Sequence, residues 1–382
     1  MGPCAGRAAA SVGQLRDVAP ARISARLTAL SPHSLEISGL AGHSSVGDRI
    51  IVHTRQMPLL AEIIAFRKEV AKAVPFGIIE GIRPGVTVEA RLLRIAGSPW
   101  PIAEGAAIGA CLHVSDAWLG RIVDPLGRSL DSKEPLAGGQ PRPLRAAPPK
   151  ATCRDRLGER IDLGVRVLNL FATCRRGQRI GVFAGAGVGK STLLASLARY
   201  TACDVAVIAL VGERGREVRE FIEDDLGLEG LARSVVVVAT SDAPAMLRRE
   251  APYAAMTIAE HFRDQGRSVL LLVDSITRFC LAAREIGFSA GELPTARGYP
   301  PSVFADLPLL LERAGPGERC GPGNRSSGSI TAFFAVLLEG DDTNEPIADT
   351  LRAILDGHVI LDRKIAESGR FPALDVLRSL SR

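Results

Sequence analysis

IGVFAGAGVGKST, residues 180–192, is the stretch that decides the fold of this 382-residue chain. The apolar run Ile180–Ala184 predicts a buried strand, and a helical pattern follows over Lys190–Tyr200. Between the two, three glycines let backbone N–H groups surround a phosphate chain, and the helix N-terminus adds positive potential. A strand, a glycine-rich turn and a helix in this order predict a phosphate-binding loop.

The side chains of this loop suit a magnesium nucleotide. Lys190 can reach the β- and γ-phosphates of ATP, and the Ser191 hydroxyl can ligate Mg²⁺. Ala184 stands where the motif usually has its first glycine, and alanine can serve there if its φ stays negative. The alternative is a glycine-rich turn that binds nothing. We predict nucleotide contacts at Gly185, Ala186, Gly187, Val188, Gly189, Lys190, Ser191 and Thr192.

Downstream of the loop, β-branched apolar runs alternate with amphipathic segments. The apolar runs occupy residues 205–211, 234–239 and 269–273. Helical patterns cover residues 218–223 and about 246–265. This alternation predicts an α/β domain, in which a parallel sheet is covered by helices on both faces.

Polar residues follow two of these strands at the edge where α/β folds bind ligands. Asp274 ends one strand and is placed to hold a magnesium shell, although a helix N-cap is the alternative. Glu213 follows another strand and could orient or deprotonate an attacking water. Arg214 could meet developing phosphoryl charge, or the segment Gly212–Glu217 could be a solvated charged loop.

Composition excludes several other classes of protein. The formal charge of +5 is small for this length and aromatic residues make up only 4%, so a dedicated nucleic-acid binder is not indicated. The seven cysteines are scattered without a Cys-x-x-Cys pair, which is typical of reduced thiols and not of a zinc site. No apolar run reaches membrane-spanning length and the first ten residues lack a signal-peptide core, so we expect a cytoplasmic protein.

The N-terminal part differs in pattern from the rest of the chain. Residues 1–20 are small and polar and predict a flexible arm. Short apolar runs broken by turn residues fill 21–95 and predict a small β-barrel domain, and 96–382 would form the nucleotide-binding domain. The segment 131–149 is rich in proline and glycine and predicts a connector or surface loop.

Taken in order, the motifs resemble the catalytic subunits of rotary-type ATPases, and within them the ATPases of type III secretion, most closely the flagellar export branch. The resemblance covers about 25–382 and implies a RecA-like P-loop domain after the barrel. Besides the phosphate loop, it is carried by Leu119-Gly-Arg-Ile-Val-Asp-Pro-Leu-Gly-Arg128, Arg176-Gly-Gln-Arg-Ile-Gly181, Val211-Gly-Glu-Arg-Gly-Arg-Glu-Val218, Asp274-Ser-Ile-Thr-Arg-Phe279, Gly298-Tyr-Pro-Pro-Ser302, Asp341-Asp-Thr-Asn-Glu-Pro346 and Pro372-Ala-Leu-Asp375 with Ser379-Leu-Ser381-Arg382.

The resemblance also implies roles for single residues. Glu213 matches the catalytic glutamate, Arg214 and Arg278 match arginines near the γ-phosphate, and Glu217 matches a glutamate near magnesium-bound waters. Phe371 matches the aromatic residue that packs on adenine, and Arg382 matches an arginine that reaches into the neighbouring subunit's site. From spacing alone, Phe371 could be plain core and Arg382 a frayed terminus.

Two departures from the family pattern stand out. The segment Pro316–Ser327 is longer than usual, is rich in glycine and proline, and predicts a flexible surface loop. The chain ends at Arg382, where family members continue with a helical C-terminal domain. In the family, that domain borders the nucleotide site and faces the central stalk and substrate complexes.

The implied activity is Mg-dependent ATP hydrolysis in a homohexamer that energises flagellar protein export. The implied partners are the export apparatus, a stalk protein and export substrate–chaperone complexes, at the inner face of the cytoplasmic membrane and without nucleic acid. Three alternatives stay open: an injectisome ATPase, a non-catalytic nucleotide-binding subunit, and a hexameric RNA translocase. Glu213 argues against the second because such subunits lack that carboxylate, and the modest charge argues against the third.

Overall fold

The structure is a computed structural model that describes residues 21–54, 57–92, 111–136, 138–295, 298–318, 328–342 and 345–382. Contacts divide the chain into two compact units, with the boundary between residues 110 and 111. The expected arm at 1–20, the expected boundary at 95/96 and most of the expected loop at Pro316–Ser327 lie outside the described residues. Within the described part of the chain, no helix is both long and apolar enough to cross a membrane.

The first unit is a closed antiparallel barrel in the strand order β1-β2-β5-β4-β3-β6, which confirms the predicted fold of this segment. Bulges between Leu27 and Ala29 and between Ile63 and Ala65 interrupt the register of the two longest strands and help them bend around the barrel. Aliphatic side chains fill the interior. The strands are β1 Ala21–Ser31, β2 Ser34–Ser38, β3 Arg49–Val52, β4 Leu59–Arg67, β5 Val70–Pro75 and β6 Thr87–Leu92.

The second unit contains a mostly parallel sheet in the order β17-β16-β10-β15-β13-β11-β12-β8, with β14 pairing beside β15. Its central strands are buried along their whole length, which accounts for their unbroken apolar sequences. A separate pair, β7 and β9, lies outside this sheet. The strands are β7 Cys111–Val114, β8 Arg121–Val123, β9 Gln140–Pro143, β10 Arg179–Ala184, β11 Val205–Val211, β12 Ser234–Ala239, β13 Ser268–Asp274, β14 Gly315–Pro316, β15 Ser329–Leu337, β16 Gly357–Leu361 and β17 Leu374–Ser381.

Helices connect the strands of this sheet. The longest, α5, is buried along most of its length and packs on β11, β12 and β13. The α-helices are α1 Arg166–Phe171, α2 Lys190–Tyr200, α3 Gly215–Glu220, α4 Gly227–Ala232, α5 Ala245–Asp264, α6 Ile276–Ala290, α7 Pro301–Leu311, α8 Pro346–Ile354 and α9 Arg363–Glu367. The predicted helix Lys190–Tyr200 and the predicted strands at 205–211 and 234–239 are confirmed to the residue.

Two sequence predictions were wrong in detail. The helix expected over 218–223 is split, because the α-helix ends at Glu220 and a π-helical turn follows over Phe221–Leu226. The connector expected over 131–149 contains the short strand β9, which pairs with β7. The strand β9 forms by pairing with β7, a tertiary contact of which the local sequence pattern carries no signal.

Candidate active site

The phosphate loop has the backbone shape that its glycines permit. Gly187 and Gly189 have φ values of 75° and 87°, which residues with a Cβ rarely adopt. Ala184, the departure from the usual motif, is the last residue of β10 and is not among the positive-φ residues of the described chain, so its expected negative φ is confirmed. The loop leads directly into α2, whose N-terminus therefore faces the site.

Two carbonyl groups at the phosphate loop accept hydrogen bonds from other parts of the chain. Ala184 O accepts a hydrogen bond from the Leu338 N–H at 3.0 Å, and Ala186 O accepts one from Arg363 Nη2 at 3.1 Å. In a trans peptide the carbonyl and the following N–H point in opposite directions. Holding these two carbonyls therefore also fixes the directions of the Gly185 and Gly187 N–H groups.

Three buried ionisable side chains meet beside the loop. Lys190 Nζ donates a hydrogen bond to Asp274 Oδ1 and lies 3.7 Å from Glu213 Oε1. The side chains of Lys190, Asp274 and Glu213 are all at most 13% exposed. Asp274 is not the helix cap, because Ser275 accepts the capping hydrogen bond from the Arg278 N–H. The N-cap alternative for Asp274 is therefore wrong, and its carboxylate is directed to the loop.

Arg278 completes this group from the first turn of α6. Its Nε lies 3.5 Å from Glu213 Oε1, and its Nη1 donates to Gly212 O at 2.5 Å. A Cβ at Gly212 would lie 2.6 Å from the Arg278 Cδ atom, so only glycine leaves room for the arginine. The sequence motif Gly212-Glu213 thus has a packing reason as well as a chemical one.

Glu213 has the electrostatic properties of a proton acceptor. Burial raises the pKa of Glu213 above its usual range, opposed by the charge of Lys190 and reinforced by the charge of Asp274. Its Oε1 atom accepts no hydrogen bond from any described residue. A carboxyl whose pKa is raised toward neutral pH, and whose oxygen accepts no hydrogen bond, is suited to orient a water molecule or to accept its proton.

The predicted magnesium residues share one cavity of about 130 Å³ with Glu213. Ser191, Asp274 and Glu217 all line it. Mg²⁺ takes oxygen ligands, keeps several waters and is usually held by one or two protein groups together with substrate phosphates. A hydroxyl and a buried carboxylate beside the phosphate loop fit that requirement. Two more acidic residues that sequence reasoning missed, Glu220 and Asp225, also line the cavity.

The other predicted residues lie farther out. The Arg214 side chain is 76% exposed and pairs with Glu217 at 3.4 Å. Phe371 is exposed, so plain core is wrong for it, and a Cβ on Gly189 would lie 3.2 Å from its ring. The ring therefore borders the phosphate loop, where a base could pack on it.

Arg382 is not near these residues. It follows β17, and Ser381 of that strand pairs with Gly357 at the start of β16, level with Ile180 at the start of β10. The phosphate loop leaves the other end of β10. About five residue steps of roughly 3.3 Å separate the two edges, about 17 Å, which is farther than an arginine side chain extends. The backbone of Arg382 is hydrogen-bonded on both sides, so a frayed terminus is wrong for it.

Arg363 was missed by sequence reasoning. Its contact with the Ala186 carbonyl joins α9 to the phosphate loop across 177 residues of sequence. The only available signal was its position eight residues before Phe371 in a segment that resembles the family. Hydrogen bonds from a side chain to a distant carbonyl leave no local pattern.

Fold and site together define a phosphate-loop nucleoside triphosphatase with a buried glutamate beside the loop. The family described as ATP synthase alpha/beta family, nucleotide-binding domain, matches residues 164–381. The chain belongs to this family, and within it to the flagellum-specific and type III secretion ATPases. It is therefore an ATPase of the alpha/beta ATP synthase family, as the motifs predicted.

Three relatives support this assignment. The flagellum-specific ATP synthase of Caulobacter vibrioides is 50% identical over 373 residues, which cover 97% of this chain and 80% of the relative. The type 3 secretion system ATPase of Xanthomonas euvesicatoria is 48% identical over 350 residues, covering 91% and 74%. The assembled ATPase EscN of enteropathogenic E. coli, solved in complex with its central stalk EscO, matches with a TM-score of 0.80 and 39% identity, covering 94% and 80%.

Proposed function

We propose that this chain hydrolyses ATP on Mg²⁺ at the interfaces of a homohexamer and thereby energises flagellar protein export. The observation that carries the catalytic part is the buried group of Lys190, Glu213 and Asp274 beside the phosphate loop. A non-catalytic nucleotide-binding subunit would need no proton acceptor there, so Glu213 argues against that alternative.

Each predicted site residue has a separate role in the proposed reaction. The loop N–H groups and Lys190 hold the phosphates, and Lys190 exchanges its contact with Asp274 for one with the nucleotide. Ser191 and Asp274 would hold Mg²⁺, which supplies positive charge to the transferring phosphoryl group. Glu213 orients the attacking water and accepts its proton, while Arg278 and Arg214 meet charge on the phosphoryl oxygens. Glu217 lies where it can bind waters of the magnesium shell.

A shared site is supported by the position of Arg382. This arginine lies at the opposite end of the sheet's strands from its own phosphate loop and is too far away to reach it, which supports a role in the site of another copy. Head-to-tail contacts of this kind close into rings when the rotation between copies permits. The relative EscN was solved as an assembled ATPase with a central stalk, which is the arrangement we infer here.

The system served is proposed to be the flagellar export apparatus, at the inner face of the cytoplasmic membrane. Export substrate–chaperone complexes and a stalk protein are the proposed partners, and association with the membrane would be peripheral. A second candidate is injectisome secretion, because the Xanthomonas relative is nearly as similar as the Caulobacter one. RNA translocation is the least supported alternative, and stimulation of the ATPase by RNA would identify it.

Secretion from a deletion strain tests this proposal. We expect the wild-type gene, but not the Lys190→Ala variant, to restore export of hook and filament proteins and swimming. The matched measurement is secretion of injectisome substrates in the same strain. Restoration of those substrates alone would assign the protein to the second candidate, and restoration by Lys190→Ala would contradict an ATP-driven role.

A further inference from the structure

We propose that Gln178 is a positioning residue that holds Arg382 where this arginine can enter the neighbouring copy's site. The inference rests on the shared-site function proposed above. Gln178 belongs to the motif Arg176-Gly-Gln-Arg-Ile-Gly181, to which no role has been assigned so far. Its contacts, its burial and its place in the sheet all point to Arg382.

Both ends of the Gln178 amide are used. The side chain is buried, with the residue 1% exposed. Its Oε1 accepts a hydrogen bond from the Arg175 N–H at 2.6 Å, which leaves Nε2 directed the other way. Nε2 donates to Arg382 O at 2.5 Å and lies 3.4 Å from Ser381 Oγ. A buried amide with fixed partners at both ends has one orientation, so it fixes the carbonyl that it contacts.

The other side of Arg382 is also held. Its N–H donates to Asp356 O at 3.2 Å, which continues the β16–β17 pairing by one residue. The Asp356 carboxylate in turn accepts hydrogen bonds from the Arg179 N–H and guanidinium at 2.9 to 3.1 Å. The main chain of Arg382 is thus hydrogen-bonded through both its N–H and its carbonyl oxygen. The residue as a whole is exposed, so its side chain is free to point away from the sheet.

Gln178 also connects Arg382 to the phosphate loop of the same chain. It directly precedes β10, the strand that ends in the phosphate loop. Its carbonyl accepts from the Ala332 N–H at 2.9 Å, which ties it to the neighbouring strand β15 as well. A movement of β10 when the loop binds or releases phosphate would therefore move Gln178 and, through it, Arg382. The expected consequence is coupling between adjacent sites of the ring.

Mixed assemblies of two inactive variants test the inference. Lys190→Ala copies cannot turn over ATP but still present Arg382, whereas Arg382→Ala copies keep the phosphate loop but present no arginine. In a ring of head-to-tail contacts, random mixing pairs the two competent halves at roughly a quarter of the sites. We expect mixing to restore phosphate release to that extent. Absence of any restored activity would overturn the shared site itself, and the role of Gln178 with it.

Adding Gln178→Met to one or the other of the two variants then tests the role of Gln178 by itself. We expect Gln178→Met in the Lys190→Ala copies to lower the restored turnover about 10- to 100-fold, because a small misplacement of a reacting group costs about 10²-fold. The same change in the Arg382→Ala copies should leave restored turnover within about twofold, because the arginine that Gln178 would hold there is absent. A merely structural effect would lower turnover equally from either side, and restored turnover unchanged in both placements would also overturn the inference.

Folding of the variants is controlled separately. Nucleotide affinity of Gln178→Met should resemble that of the parent copies, because the phosphate loop is untouched. Thermal unfolding checks that the variant folds, with a lower midpoint expected because the Arg175 N–H loses its acceptor. If this variant does not fold, Gln178→Asn gives the same test, since the shorter amide cannot bridge Arg175 and Arg382. Full complementation by a folded Gln178→Asn copy in the Lys190→Ala background would contradict the proposal.

Discussion

Glu213 and Arg214 are neighbours in the sequence, yet they belong to different parts of the site. Glu213 joins Lys190 and Asp274 in an inner group that is buried and mutually paired. Arg214 belongs with Phe371 and Arg382 to an outer group, whose members are exposed. The inner group is assembled by one chain at the carboxyl edge of its own sheet. The side chains of the outer group are exposed, and we propose that nucleotide or another copy covers them.

We propose that the inner residues carry out the chemical step and that the outer residues bind nucleotide or act between copies. Inner residues are held by ion pairs in a region of low dielectric, where each interaction is strong and each loss costly. Outer residues contribute little until a ligand or a copy covers them, because exposed ion pairs are weak. Changes in the inner group should therefore act mainly on turnover and stability, and changes in the outer group on affinity or on dependence on assembly.

The largest effect is expected from Lys190→Ala, which should abolish turnover. It should also leave the Asp274 and Glu213 carboxyls buried without the Lys190 cation, although Arg278 Nε still lies 3.5 Å from Glu213 Oε1. A carboxyl whose pKa is raised in the folded state takes up a proton on folding, so stability should fall as the pH rises above its usual value of 4.5. Phosphate release and thermal melting at pH 5 and pH 8 measure both effects.

A double variant controls the stability part of this prediction. Glu213→Gln added to Lys190→Ala neutralises one of the two carboxyls, so it should recover stability at pH 8 but no turnover. Wild-type turnover in folded Lys190→Ala protein would remove the inner group from catalysis.

Glu213→Gln alone should rank next. Loss of a general base or of water positioning costs about 10²–10⁴ in rate, so we expect turnover at least about 100-fold slower with Mg-ATP binding retained. Single-turnover kinetics and nucleotide titration separate the two quantities. Glu220→Gln, in the same cavity but not in contact with Lys190, is the matched control and should change turnover little. Near-normal turnover of the Glu213 variant would show that this glutamate has no role in the chemical step.

Phe371→Ala should weaken nucleotide binding about 3- to 10-fold, because an aromatic packing contact is worth about 0.5–1.5 kcal/mol. The turnover number at saturating ATP should stay close to wild type, since the ring borders the loop and not the Glu213 group. Phe371→Tyr, which keeps the ring, should bind normally. A lower turnover number at saturating ATP, with unchanged nucleotide affinity, would instead mean that Phe371 acts in the chemical step.

The smallest effect is expected from Arg363→Ala. Removing its hydrogen bond to Ala186 O frees the peptide that orients the Gly187 N–H, and a charge-assisted bond of this kind is worth about 1.5–3 kcal/mol before exposure reduces it. We expect the KM for ATP to rise about 3-fold with little change in turnover number. Arg363→Lys should recover part of the loss, and Lys364→Ala on the same helix should have no effect. A lower turnover number at unchanged KM would contradict a bracing role.

Most of the inner group was predictable from sequence because strand and loop chemistry determine it locally. The buried strand before Gly185 leads into the phosphate loop, and the apolar strand before Asp274 leads to a carboxylate. Parallel strands bring their carboxyl ends to the same edge of a sheet, so the two groups were expected to meet. The roles of Phe371 and Arg382 came only from the resemblance, since spacing carries no information about a neighbouring copy. The structure adds that the Phe371 ring borders the phosphate loop and that the Arg382 backbone is held by Gln178 and Asp356.

The contacts of Arg363 and Gln178 could not be predicted. Each joins a side chain to a main-chain carbonyl far along the sequence, at separations of 177 and 204 residues. Hydrogen bonds of this type place no constraint on neighbouring residues, so no periodicity or spacing reports them. The π-helical turn at Phe221–Leu226 escaped prediction for a similar reason, because its sequence is compatible with an α-helix.

The barrel and the large sheet of this molecule also differ in their exposure to aggregation. The barrel is closed, so none of its six strands presents an unpaired edge. The large sheet ends in β17, whose outer side pairs with no strand among the described residues, and Leu377 on that strand is 98% exposed. An exposed edge strand presents unpaired N–H and C=O groups, which are a template for non-native pairing between molecules. Purified protein at high concentration should therefore lose solubility through β17 first, and Leu377→Lys should delay precipitation.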